Sequence, residues 1–182
     1  MRRGTAVSSY PFLLFLSTVA TAQSPSLDQQ LCKSVRALLQ ASYSDFNSIK
    51  ENVTRHRDGD SDWVPNIKVP GSQDCDGQSD PSIASSVSCT LAETVSEEQA
   101  AAVYRAMVSQ MRSCLDQRFV FKESQRGKPT RRSTPIKEAS FEVKGTDDGP
   151  DGPAVRISLQ QFHRTTRAGY DVTLWVDAKD KE

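Results

Sequence analysis

His56 and His163 are the only imidazoles in the 182-residue chain, so a histidine general base would have to be one of them. His56 stands among Arg55, Arg57 and Asp58, and His163 is followed by Arg164. Neither belongs to a nucleophile–base pattern. The sequence contains no G-x-S-x-G, no H-E-x-x-H and no phosphate-binding glycine loop. Triads are built by geometry and not by spacing, so the many serines do not discriminate. A small secreted or periplasmic hydrolase with an unrecognised active site is kept as the alternative reading, with no catalytic residue assigned and no cofactor implied.

Asp58-x-Asp60-x-Asp62 matches the opening of a calcium loop. An EF-hand then needs Gly at the sixth position and Glu at the twelfth, and those places hold Trp63 and Val69. No metal site is assigned. Four cysteines, Cys32, Cys75, Cys89 and Cys114, carry the remaining reactive chemistry. They form no C-x-x-C, and neither histidine lies close to one of them, which argues against zinc. An even count behind an export signal reads as two disulfides.

That export signal is read from the first residues. Met1-Arg2-Arg3 is a short positive segment, Tyr10 to Val19 is apolar, and Ala20-Thr21-Ala22 has the small-x-small pattern cut by signal peptidase. Cleavage is expected after Ala22, leaving residues 23–182 as one exported domain in the periplasm or outside the cell. The apolar run is too short to span a bilayer, and no later segment approaches the necessary length of about 20 residues. Removing Arg2 and Arg3 leaves 21 basic against 23 acidic residues, a net charge of −2. Such a balance does not suit a general nucleic-acid or membrane-surface binder.

Charge is nevertheless segregated. Asp58 to Asp80 holds six Asp and one Lys, net −5, while Arg118 to Lys137 holds seven bases and one Glu, net +6. The basic arm, with Arg126, Arg131 and Arg132, is a candidate docking site for an anionic ligand or acidic protein. Nucleic acid is not expected, because no aromatics interleave with these bases.

The elements that position these groups follow from periodicity. Ser26-Leu27-Asp28-Gln29 is a capping box, and Leu31, Val35, Leu38, Leu39, Ser42, Phe46 and Ile49 continue at helical spacing, so the first helix is expected to run to about Ile49. Ser96-Glu97-Glu98-Gln99 opens a second helix with an apolar stripe from Ala100 to Leu115. Trp63 to Val69 and Ser85 to Glu93 read as strands, and Gly71 to Ser82 as a polar loop. Phe119 and Phe121 alternate in a further strand. Ala139 to Val143, Val155 to Leu159 and Val172 to Val176 alternate in a C-terminal meander. A loose helix-then-strands pattern occurs twice.

The expected order is α-β-β-α-β-β-β-β. Single-faced alternation implies a sheet with one buried face, covered by the two helices: an α+β two-layer sandwich with antiparallel helices on one face of a mostly antiparallel sheet. This topology favours Cys32–Cys114 between the helices and Cys75–Cys89 within a hairpin. It also turns Arg156, Ser158, Phe162, Thr173 and Trp175 toward the helix-free face, with Trp175 near Arg156 or Ser158. Arg156 and Trp175 are therefore a second candidate interaction site. The leading expectation is an exported, disulfide-stabilised binding domain whose ligand is not identifiable from sequence.

Overall fold

The structure is a computed structural model that describes residues 26–56, 58–80, 84–125, 133–144, 152–164 and 167–178. The expected leader, Met1–Ala22, and the basic-arm residues Arg126, Arg131 and Arg132 lie outside the described residues.

Helix α1 (Leu27–Ser42) starts at the Ser26 capping box, in which the Ser26 hydroxyl accepts from the Gln29 amide and the Gln29 side chain accepts from the Ser26 amide. It ends seven residues before the expected Ile49. Asp45 and Phe46 adopt left-handed backbone (φ 55° and 58°), which breaks the helix, yet Phe46 and Ile49 are both buried. Their helical spacing reported burial and not helix: a tight turn delivers the same side chains to the core. The Phe46 ring lies 5.6 Å from that of Trp63. Helix α2 (Glu97–Cys114) begins at Ser96, whose hydroxyl accepts from the Gln99 amide, and buries Ala100, Tyr104, Met107, Val108, Met111 and Cys114.

Eight strands, not six, accompany the helices: β1 (Lys50–Arg55), β2 (Ser61–Pro65), β3 (Asp74–Ser79), β4 (Ser86–Thr94), β5 (Phe119–Gln125), β6 (Ser133–Val143), β7 (Ala154–Arg164) and β8 (Arg167–Asp177). The expected order is corrected by β1 and β3, which have no apolar alternation to betray them. Strand β1 is an exposed edge whose inward face is nearly empty of apolar side chains. Strand β3, expected as loop, presents Gly77 and Cys75 to the core, and Gly77 is covered by Trp63 from β2.

All strand pairs are antiparallel, in the order β1-β2-β3-β4-β8-β7-β6-β5. The twice-occurring helix-then-strands pattern is thus real: each α-β-β-β-β unit forms a meander, and the two join through their last strands, β4 and β8. A single inward row crosses seven strands through Trp63, Gly77, Val87, Val176, Val155, Phe141 and Phe121. Helix α2 packs on β4, β7 and β8, and α1 on β8, so both helices cover this face of an α+β sandwich. None of the described helices is long and apolar enough to cross a membrane.

Two disulfides each tie elements within one layer. Cys32 near the start of α1 bonds Cys114 at the end of α2, and Cys75 on β3 bonds Cys89 directly opposite on β4. The first closes a span of 82 residues. In the chain-entropy account a loop of that size stabilises by about 4 kcal/mol.

Candidate interaction face

The sheet face turned away from the helices is built by alternation. Because Val155, Ile157, Leu159, Val172, Leu174 and Val176 point into the core, their neighbours Arg156, Ser158, Gln160, Asp171, Thr173, Trp175 and Asp177 must take the other side. Register then makes Arg156 and Trp175 direct cross-strand partners. The Arg156 guanidinium lies 5.6 Å from the Trp175 ring centroid, and the indole N–H donates to Ser158 Oγ at 3.4 Å.

Arg156 also forms a two-pronged ion pair with Asp177: Nε to Oδ2 at 2.6 Å and Nη2 to Oδ1 at 2.9 Å. Its side chain keeps 37% of its surface exposed, and the hydrogen bond to Asp177 holds its pKa above the ordinary arginine value. Toward the β5 edge, Lys122 Nζ donates to Glu142 at 2.6 Å, and Glu142 also accepts from Ser140. The Lys122 bond keeps the Glu142 pKa below the usual carboxylate range.

Two side chains expected to face outward lie on this side but are covered. Phe162 is 4% exposed, and it packs on Gly169, where an added Cβ would come within 2.8 Å of its ring. Thr173 is 8% exposed. Trp175 is partly buried. Of the expected site residues, the fold brings Arg156 and Trp175 together, while Arg126, Arg131 and Arg132 lie outside the described residues.

The acidic segment is divided between two places. Asp62, Asp74 and Asp76 take the helix-free face of β2 and β3. Asp60 and Asp80 instead line a polar cavity of about 290 Å³ with His56, Asp62, Ser61, Ser79 and Ser86. In it His56 Nε2 lies 2.9 Å from Asp62 Oδ2, and this bond, reinforced by Asp58 and Asp60, raises the imidazole pKa. Ser79 Oγ is already engaged: it accepts from Lys50 Nζ at 2.9 Å, Trp63 Nε1 at 3.1 Å and Ser85 Oγ at 2.9 Å. Among the described residues, no serine hydroxyl is hydrogen-bonded to His56. The arrangement is a structural knot joining β1, β2, β3 and the approach to β4.

Sequence reasoning missed one concavity. A groove of about 850 Å³ at the junction of α2 and β5 is lined by Leu115, Asp116, Gln117, Arg118, Val143 and Lys144. Arg118 is folded back there onto Asp116, with contacts of 2.8 to 3.1 Å. No local pattern announces this groove, because its walls come from segments far apart in the chain. No protein-family model, curated protein or solved structure matches the chain.

Proposed function

We propose that the chain is an exported, non-catalytic binding module whose recognition surface is the helix-free sheet face around Trp175. The observation that carries this reading is the Arg156–Trp175 pair: a large indole among mostly polar neighbours, held by Ser158 and flanked by a guanidinium that Asp177 orients. Aromatic and arginine side chains in such settings supply most of the energy at protein interfaces. The expected leader and the two disulfides support a working place in an oxidising compartment.

Trp175→Ala tests it. The variant is expected to keep the wild-type unfolding midpoint and both disulfides. It is also expected to lose at least about tenfold in affinity for whatever immobilised wild-type protein retains from its native exported fraction. Equal retention by variant and wild type would overturn the proposal. Loss of folding would assign Trp175 to the core instead.

A further inference from the structure

The reading of the helix-free face as a binding surface leaves open what it binds, and three features of that face limit the answer. The first is relief. Strand β4 turns only small side chains outward at its centre, Ser88 and Thr90. Register sets Asp76 and Asp74 beside them on β3, and Trp175 and Thr173 beside them on β8. At Ser88 the β4 strip is therefore a shallow trough between Asp76 and the Trp175 indole, two strand spacings or about 10 Å apart, and at Thr90 it runs level with Thr173.

The second feature is charge. The two cations placed on this face among the described side chains are already matched, Arg156 by Asp177 and Lys122 by Glu142. Asp74 and Asp76 are exposed, and among the described residues neither has a base paired with it. The unmatched charge along the trough is negative.

The third is Thr173. It is 8% exposed, and no side-chain hydrogen bond joins its hydroxyl to any described residue. The hydroxyl itself is open to solvent beside the indole, so an occupant would replace its water with a direct hydrogen bond.

We infer that the β4 trough takes an extended cationic polypeptide. Its Lys or Arg side chains meet Asp74 and Asp76, its chain crosses Ser88 and Thr90, and it packs against Trp175 with a hydrogen bond to Thr173. This inference rests on the face being a binding surface and adds the chemical class of its partner.

The test uses the full chain and three fluorescein-labelled probes at physiological salt: an eight-residue Arg-Ser repeat peptide, its Glu-Ser counterpart, and cellohexaose. The Arg-Ser peptide is expected to bind and to change Trp175 fluorescence, a change absent in Trp175→Phe. Asp74→Asn/Asp76→Asn should weaken binding by about tenfold. Asp58→Asn/Asp60→Asn, which changes net charge equally at the β1–β2 turn, should leave it within about twofold. Thr173→Val should fold as wild type and bind about threefold more weakly.

Equal loss in both charge variants would reduce the effect to net charge and overturn the inference. So would binding of cellohexaose or the Glu-Ser peptide in place of the Arg-Ser peptide. If Trp175→Ala abolishes capture of the native partner while Asp74→Asn/Asp76→Asn does not, the cationic assignment fails and the binding face stands. If neither variant alters capture, both readings fail.

Discussion

Replacing Gly77 by alanine should destabilise the domain far more than its place in a polar strand suggests. Gly77 lies directly opposite Trp63. A Cβ at that position would stand 2.2, 2.3 and 2.4 Å from Cε2, Cδ2 and Cζ2 of the indole, so the ring must move by on the order of 1 Å to reach ordinary contact. It has little freedom to do so. Trp63 is 2% exposed, packs against Phe46, donates to Ser79 and lies under Lys50 Nζ. Overpacking of this kind costs about 1–3 kcal/mol. If the ring shifts, the buried N–H loses Ser79, which adds about 1–3 kcal/mol. The reduced entropy of the unfolded chain returns about 0.4–1 kcal/mol. The net expectation is a loss of about 3 kcal/mol, measured by urea unfolding under non-reducing conditions. The mechanism is checked by a cycle with Trp63→Leu, in which Gly77→Ala should cost less than about 0.5 kcal/mol. A Gly77→Ala protein as stable as wild type, or strict additivity in the cycle, would refute the reasoning.

Other perturbations probe the remaining supports. Ser79→Ala removes the acceptor shared by Lys50 and Trp63 and should cost about 1–3 kcal/mol in the same assay, with Lys50 still held by Asp45 at 3.5 Å. A Cys32→Ser/Cys114→Ser protein should lose about 4 kcal/mol if unfolded-chain entropy dominates, and a loss under 1 kcal/mol would count against that account. His56 titrates above its ordinary value because Asp62 accepts its hydrogen bond. Its small contribution is therefore fully present below the unfolded-state histidine pKa and fades as pH rises through the raised folded value. NMR titration of His56 should show this raised midpoint, and Asp62→Asn should lower it; an unchanged midpoint would exclude the pairing. Glu142 has the opposite sign: its pairing with Lys122 stabilises above the ordinary glutamate pKa and is lost as pH falls through the depressed folded value. Lys122→Met should raise the Glu142 midpoint.

Much of the architecture is legible from local pattern. Helix α2 and the α1 start follow from capping residues and apolar stripes, and β4, β7 and β8 from strict alternation, because each buries one face on the same core. The disulfide pairing also follows, since helices on one sheet face bring Cys32 to Cys114 and a hairpin brings Cys75 to Cys89. Periodicity overstates the end of α1 because Phe46 and Ile49 are buried from a turn that mimics helical spacing. The candidate face was half legible: alternation turns Arg156 and Trp175 outward, but the ion pair with Asp177 depends on register between strands.

Sequence alone determined what periodicity and covalent chemistry encode: two amphipathic helices, the alternating strands and an even set of cysteines. Tertiary structure alone decided that β1 and β3 are strands at all. Their side chains carry no apolar alternation, and their places are secured by backbone pairing, by Trp63 lying over Gly77 and by the Ser79 knot. It also decided that two meanders join at β4 and β8, which sets the acidic residues of β3 across β4 from Trp175. Chemistry in this chain is assembled across strands, where hydrogen-bond register and not sequence distance sets which side chains meet.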